Sequence, residues 1–205
     1  MSRSLNLSNS ELIEKSVANN ESELTHTGAL LSLTGNRTGR SPKDRFIVQE
    51  SSTKDKIDWG DVNKPFDSNH FDKLWEKVSA YLDDKEHYVS NVHVGSNKDH
   101  YIPVEVKSEL AWHSLFSKLI FISPEIFNEE NKEVWKIVTA ANYVCDPEED
   151  HTNSESCVII NFLRRKVLIA GMKYAGEMKK SMFAVQNFLL PEKGVLPMHC
   201  SANQT

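Results

Sequence analysis

The sequence predicts an α/β fold in which helices flank a mixed β-sheet. Two patterns carry this prediction: short apolar runs rich in β-branched residues, and longer segments in which apolar residues recur every three or four positions. The two patterns interleave along the chain, and no linker or internal repeat divides it. We therefore expect residues 1–205 to form one domain, which is long enough to bury a large core.

The first part of the chain predicts two helices with two strands between them. Ser8 and Glu11 have the spacing of a capping box, which predicts a short helix over 8–17. The segment 28–50 places a glycine-containing loop between two apolar stretches, a pattern typical of strand, loop and strand. A second helix is expected over 70–83, with an apolar stripe formed by Phe71, Leu74, Trp75, Val78 and Leu82.

The rest of the chain predicts a further alternation of strands and helices. Period-2 patterns and β-branched runs indicate strands, and a period of 3.6 residues indicates helices. The expected elements are strands over 87–95, 101–108 and 135–145, helices over 111–122 and 176–190, and a hairpin over 157–171 that turns at Arg164 and Arg165.

Composition argues against several classes of protein. The net charge of −5 gives no reason to expect a nucleic acid or an anionic membrane as a partner. No apolar run has the length of a signal-peptide core or of a membrane span, so the cytoplasm is the expected compartment. Cys145, Cys157 and Cys200 are widely spaced and form no C-x-x-C motif, which argues against a disulfide framework or a zinc site.

Three segments carry residues suited to binding an anion, and the first is TGNRTGRSPKD over 34–44. Its glycines allow backbone amides to approach a ligand closely, and the planar guanidinium of Arg40 suits a carboxylate. A tight turn with solvated charges would use the same residues. This segment alone therefore leaves both interpretations open.

The second segment is YAGEMKK over 174–180. If a helix begins near Gly176, Lys179 and Lys180 lie in its first turn, where positive charge opposes the helix dipole. A sequence selected only for stability would place acidic residues there, so the two lysines indicate an anion site. A solvated helix face is the alternative.

The third segment is GVLPMHCSANQT over 194–205. His199 is flanked by Met198 and Cys200, so it is either a core residue or a metal ligand. Cys200 could act as a nucleophile, but no supporting catalytic partners can be placed for it. We therefore interpret Cys200 as structural.

Taken together, the three segments resemble the signatures of the ATP-dependent phosphoenolpyruvate carboxykinase family, in that family's order and spacing. The matching strings are T-G-R-S-P-K-D, Y-x-G-E-M-K-K-x-M-F and N-F-L-L-P-x-K-G followed by M-H-C-S-A-N. The strong match covers about 34–48 and 154–203, the ELAWHSLF segment matches more loosely, and 50–100 and 122–153 match poorly. The family converts oxaloacetate and ATP into phosphoenolpyruvate, ADP and CO2 in gluconeogenesis, with Mn2+ at the catalytic centre and Mg2+ accompanying ATP.

The resemblance implies roles for five residues. Arg40 would hold the substrate carboxylate and the released CO2, Tyr174 would line the same pocket, and Lys179 would bind substrate and offset charge on the transferred phosphoryl group. Lys180, also catalytic, and His199 would be ligands of Mn2+ and, through the metal, would help hold the nucleotide phosphates. Because a lysine binds a metal only as the neutral amine, the pKa of Lys180 is expected to be lowered by the metal and by neighbouring cations.

The resemblance also implies a C-terminal mononucleotide-binding domain whose phosphate-binding loop directly follows S-A-N, whereas this sequence ends at Thr205. The run 171–176 has the G-x-x-x-x-G spacing of such a loop, but Glu and Met follow where Lys and Ser or Thr are required. We therefore expect these residues alone neither to bind ATP nor to turn over. A non-catalytic module for dicarboxylates or phosphoenolpyruvate, and a structural remnant with an exposed apolar patch, remain alternatives.

Overall fold

The computed structural model describes residues 3–35, 37–201 and 203, and within them the chain forms ten strands and four α-helices. The strands are β1 (Arg3–Leu5), β2 (Ser22–Leu24), β3 (Leu30–Ser32), β4 (Arg45–Val48), β5 (Lys64–Phe66), β6 (His87–Val94), β7 (Ile102–Ser108), β8 (Trp135–Ala140), β9 (Cys157–Asn161) and β10 (Lys166–Ala170). The helices are α1 (Asn9–Ala18), α2 (Ser68–Asp83), α3 (Ala111–Ile120) and α4 (Gly176–Leu189).

Eight strands form one mixed sheet in the order β1-β6-β7-β8-β10-β9-β4-β5, and β2 and β3 form a separate antiparallel hairpin. The neighbouring strands β8 and β10 are parallel, and Ala140 at the end of β8 pairs with Ala170 at the end of β10. The carboxyl ends of both strands therefore lie at one edge of the sheet. The mixed sheet and its flanking helices confirm the predicted fold class.

The core lies on both faces of this sheet because successive strand residues point in opposite directions. In β8, Ile137 belongs to the cluster on one face and Val138 to the cluster on the other. Helix α4 covers the first face, and its buried apolar residues are Met178, Met182 and Val185. Helix α2 covers the second face, and its buried residues are Phe71, Leu74, Val78 and Leu82. The apolar stripe predicted for α2 therefore faces the core.

Most predicted elements are confirmed. Helix α1 begins after Ser8, and both hydrogen bonds of the capping box with Glu11 are present. The hairpin of β9 and β10 turns next to Arg165, which adopts a positive φ of 52°. The strand expected over 135–145 is shorter, because the carbonyl of Ala140 accepts a hydrogen bond from the N–H of Tyr143 and a turn follows.

The strands β1, β2 and β5 were not predicted. Each has three residues, too few for an alternating pattern to stand out from a loop. These strands form because they pair with other strands, and β1, for example, pairs with β6 from a distant part of the sequence. Within the described part of the chain, no helix is long and apolar enough to cross a membrane.

Candidate functional site

The loop over 34–44 is held to the body of the protein by the buried carboxylate of Asp44. Its side chain is only 5% exposed, and Nη1 of Arg37 lies 2.9 Å from its Oδ2. It also accepts hydrogen bonds from the hydroxyls of Ser41 and Ser154 and from the side-chain amide of Asn153. Burial raises the pKa of Asp44, but these hydrogen bonds outweigh burial and leave the pKa below its ordinary value. Asp44 therefore anchors the end of the loop to the body of the protein.

The two arginines of this loop differ in their surroundings. Arg37 binds Asp44 and also donates to the hydroxyl of Ser154 at 3.2 Å, so its guanidinium is part of the scaffold. Arg40 is exposed, and it makes no hydrogen bond or salt bridge to the residues that the structure describes. Its five donors are thus available to a ligand.

Helix α4 begins at Gly176, as predicted, but its first turn corrects one expectation. Glu177 lies in that turn, where an acidic residue suits the helix dipole. Lys179 and Lys180 are the fourth and fifth residues of the helix, so they follow the turn that they were expected to occupy. Lys179 is exposed and Lys180 is half-buried.

The carboxylate of Glu177 connects the loop to this helix. It is fully buried, and its Oε1 accepts a hydrogen bond of 3.2 Å from the backbone N–H of Ser41. Its Oε2 lies 3.9 Å from Nε of Arg45 and has no hydrogen-bond partner among the described residues. Ser41 follows Arg40 directly, so this one contact joins the backbone beside Arg40 to the first turn of α4.

Tyr174 is placed by the tight approach of its ring to Gly176. A Cβ on Gly176 would lie 2.6 Å from Cε1 of Tyr174, so glycine is what allows the ring to cross the start of the helix. The residue before it is also held, because Nε2 of the buried His113 lies 2.9 Å from the carbonyl oxygen of Lys173. The half-buried Tyr174 therefore lies between Lys173, whose carbonyl oxygen contacts His113, and Gly176, which leaves room for the tyrosine ring.

Lys180 and His199 lie against the same aromatic ring. Nζ of Lys180 is 5.8 Å from the centroid of Phe183, and the imidazole of His199 meets that ring edge-on with a centroid distance of 5.8 Å. His199 is exposed, which contradicts the core interpretation. Phe183 is thus a common neighbour of the two potential nitrogen ligands.

The electrostatic environment lowers the pKa of Lys180. Partial desolvation is the largest cause, followed by the positive charges of Arg40 and Lys179 and then that of Arg45. Glu177 acts in the opposite direction. Arg40 of the loop and Lys179 of the helix are thus both near enough to Lys180 to disfavour its charged form.

The donor set fits a divalent cation only in part. Lys180 and His199 supply nitrogen, whereas Mn2+ also favours oxygen ligands. Within residues 3–35, 37–201 and 203, no group of three or more His, Cys, Asp or Glu side chains could hold a metal ion. Lys180 and His199 would therefore form a complete metal centre only together with oxygen ligands that they do not themselves supply.

The cysteines are arranged differently from expectation. Cys200, interpreted as structural, is exposed. Cys145 and Cys157 are buried as free thiols, with their Sγ atoms 3.8 Å apart. Hydrogen bonding to Cys145, followed by burial, raises the pKa of Cys157 well above its ordinary value. The raised pKa of Cys157 disfavours the reactive thiolate.

A small cavity separates the loop from the chain segment that leads into α4. It has a volume of about 190 Å³ and is lined by Thr34, Gly35, Arg37, Ala141, Gly171, Met172 and Lys173. Gly171 has a φ of +72°, and a Cβ there would lie 2.3 Å from the carbonyl oxygen of Glu155. The cavity lies at the edge of the sheet where β8 and β10 end, because Ala141 and Gly171 directly follow these strands.

The structure thus brings the three segments singled out in the sequence to the N-terminal part of α4. Sequence reasoning missed the supporting residues Glu177, Asp44, Arg45, His113 and Phe183. Three of them stand in the matching strings: Glu177 and Phe183 in G-E-M-K-K-x-M-F, and Asp44 in S-P-K-D. An acidic residue inside a cationic motif is the signal that could have identified the two carboxylates, because neighbouring cations attract a counter-charge.

Comparisons with known proteins agree with the resemblance seen in the motifs. A family model described as phosphoenolpyruvate carboxykinase matches residues 2–205. The phosphoenolpyruvate carboxykinase (ATP) of Geobacillus kaustophilus is 50% identical over 199 residues, which cover 96% of this chain and 38% of that protein. The Bacillus subtilis protein of the same name is 47% identical over 200 residues, which cover 97% of this chain and 38% of the relative. The chain therefore spans about 38% of the length of the curated relatives that it matches.

Proposed function

Because this chain belongs to the ATP-dependent phosphoenolpyruvate carboxykinase family, we propose that residues 1–205 form the N-terminal domain that binds oxaloacetate and phosphoenolpyruvate. The observation that carries the proposal is the cationic cluster of Arg40, Arg45, Lys179 and Lys180 at the start of α4. Glu177 connects its members, because it accepts a hydrogen bond from the N–H next to Arg40, lies 3.9 Å from Nε of Arg45 and precedes the lysine pair in the helix with one residue between them. A cluster of cations of this kind is costly to assemble unless an anion of several charges binds it.

The cluster suits the family reaction, in which oxaloacetate and ATP give phosphoenolpyruvate, ADP and CO2. Arg40 binds the substrate carboxylate and then the departing CO2, since its guanidinium is free of protein partners. Loss of CO2 leaves the bonding electron pair on the enolate, whose oxygen attacks the γ-phosphorus of ATP as the bond to ADP breaks. Lys179 offsets the negative charge that is shared between the enolate oxygen and the transferred phosphoryl group. Tyr174 orients the substrate beside these cations.

Lys180 and His199 are the residues of this chain that would hold Mn2+. When bound, such a cation stabilises negative charge on the enolate oxygen. The lowered pKa of Lys180 favours the neutral amine that ligation requires. We propose that the oxygen ligands, and the site for ATP with its Mg2+, belong to the part of the family that this chain does not span. By themselves the 205 residues are then expected to bind substrate without turnover.

A chimaera tests the proposal. Residues 1–203 are joined to the remaining C-terminal part of the Geobacillus kaustophilus relative, and oxaloacetate-dependent formation of ADP and phosphoenolpyruvate is measured. We expect activity in the chimaera and a loss of at least about a hundredfold in its Lys179→Ala variant, as for other residues that act on the transferred group. Lys193→Ala, which lies beyond the other end of the same helix, is the matched control and should retain activity. A folded, ATP-binding chimaera that forms no phosphoenolpyruvate would contradict the proposal.

A further inference from the structure

Glu177 is a buried carboxylate that the described residues compensate only in part. A carboxylate taken out of water is costly unless hydrogen bonds and opposite charges compensate it fully. Oε1 receives one backbone N–H, but Oε2 has no hydrogen bond among the described residues and lies 3.9 Å from the nearest guanidinium nitrogen, Nε of Arg45. An apolar residue would avoid this cost, so the retained charge points to another purpose.

The contacts of Glu177 join three separate parts of the site. Oε1 binds the amide of Ser41, which directly follows Arg40, and Oε2 faces Arg45 at the start of β4. Its own backbone lies in the first turn of α4, shortly before Lys179. The loop is anchored independently on its other side, because Asp44 binds Asn153 and Ser154. Asp44 therefore fixes the loop to the sheet edge, and Glu177 fixes the same loop to the helix that carries the lysines.

We propose that Glu177 is a positioning residue, which holds Arg40 at a fixed distance from Lys179 so that both can reach one bound substrate. The inference rests on the proposed function, since it assigns Glu177 to the same anion site. A ligand with a carboxylate and a phosphoryl group, such as phosphoenolpyruvate, needs the two cations at a matching separation. A fixed separation reduces the ordering that binding would otherwise require.

Whether the loss of Glu177 weakens or strengthens the binding of an anion distinguishes a positioning role from a purely electrostatic one. Removing a negative charge beside a cationic cluster strengthens the binding of an anion, if charge is all that matters. Removing the acceptor that holds Ser41 weakens binding, if position matters. Glu177→Gln removes the charge and keeps an oxygen for the N–H of Ser41, whereas Glu177→Ala removes both.

Calorimetric titration of the 205-residue chain with phosphoenolpyruvate tests the inference. We expect Glu177→Gln to bind within about threefold of wild type or more tightly, and Glu177→Ala to bind about tenfold more weakly, the loss typical of one charge-assisted hydrogen bond. In Arg40→Ala, adding Glu177→Ala should cause little further loss, because Glu177 acts through Arg40. Glu192→Ala, an exposed acid beyond the other end of α4, is the matched control.

Two outcomes separate this inference from the proposed function. A wild-type chain that binds no phosphoenolpyruvate contradicts the proposed function and removes the basis of the inference. A wild-type chain that binds, together with a folded Glu177→Ala chain that binds as tightly or more tightly, overturns the inference alone. If Glu177→Ala does not fold, Glu177→Asp replaces it, because the shorter side chain keeps the charge but withdraws the acceptor from Ser41. Wild-type affinity in Glu177→Asp overturns the inference equally.

Discussion

Nε2 of His113 lies 2.9 Å from the carbonyl oxygen of Lys173, and this contact joins helix α3 to the segment that leads into the candidate site. Nδ1 of the same ring lies 3.2 Å from the hydroxyl of Thr139. The neutral ring satisfies both partners when Nε2–H donates to the carbonyl and Nδ1 accepts from the hydroxyl. Because the ring is fully buried, desolvation lowers the pKa of His113 to about 4.

This pKa predicts that the protein loses stability in mild acid. The unfolded chain takes up a proton at His113 near pH 6.5, whereas the folded chain does so only near pH 4. Stability is therefore complete above the unfolded pKa and falls as the pH drops between the two values, by roughly 3 kcal/mol in total. Urea unfolding at a series of pH values measures this slope. His113→Gln, which cannot titrate, should flatten it, and His26→Gln, which removes an exposed imidazole, is the control. An unchanged slope in His113→Gln would refute this assignment.

The features that were predicted correctly depend on residues close together in the sequence, whereas the missed features depend on contacts between residues far apart in the sequence. Helices α2 and α4 follow from local periodicity, and Arg40, Lys179 and Lys180 could be selected from their chemistry within short motifs. The bond from Ser41 to Glu177 spans 136 residues, so no local pattern could reveal it. The three-residue strand β1 could not be predicted for the same reason, because it forms by pairing with the distant strand β6.

A second prediction concerns Gly176. In Gly176→Ala, the new Cβ would displace the ring of Tyr174, because its nearest contacts are ring atoms at 2.6 to 2.9 Å. The stability should change by less than about 1 kcal/mol, since the ring can move and alanine favours the helix. The affinity for phosphoenolpyruvate, measured by calorimetry, should fall by about three- to tenfold as the pocket wall shifts. Gly60→Ala, where a Cβ meets open space, is the control. Unchanged affinity in Gly176→Ala would show that the Tyr174 ring does not line the pocket.

A third prediction concerns Asp44, the anchor of the Arg40 loop. Its lowered pKa means that it stabilises the fold above its ordinary pKa, and that this stabilisation is lost as the pH falls through the folded value. At neutral pH, Asp44→Asn should destabilise the protein by about 2 kcal/mol, because it leaves the half-buried Arg37 without its carboxylate. Chemical denaturation measures the difference. The exposed Asp55→Asn should change the free energy of unfolding by less than about 0.5 kcal/mol. Equal effects of the two variants would argue against the anchor.

A fourth prediction concerns thiol reactivity. The exposed Cys200 should react rapidly with Ellman's reagent in the native protein, whereas the buried Cys145 and Cys157 should react only on unfolding. The raised pKa of Cys157 further reduces its thiolate fraction at neutral pH. One fast thiol per native chain, and none in Cys200→Ser, is the expected count. Two or more fast thiols in the native wild type would contradict the burial of the pair.

The central claim is that the cationic cluster at the start of α4 binds the substrate. Calorimetric titration of the wild-type chain with phosphoenolpyruvate, beside Arg40→Ala and the control Lys193→Ala, tests it most directly. We predict measurable binding to wild type, unchanged binding to Lys193→Ala, and a loss of at least about tenfold in Arg40→Ala, as expected for an arginine that binds a carboxylate. No binding to a folded wild-type chain at millimolar ligand, or equal binding to Arg40→Ala, would contradict the account.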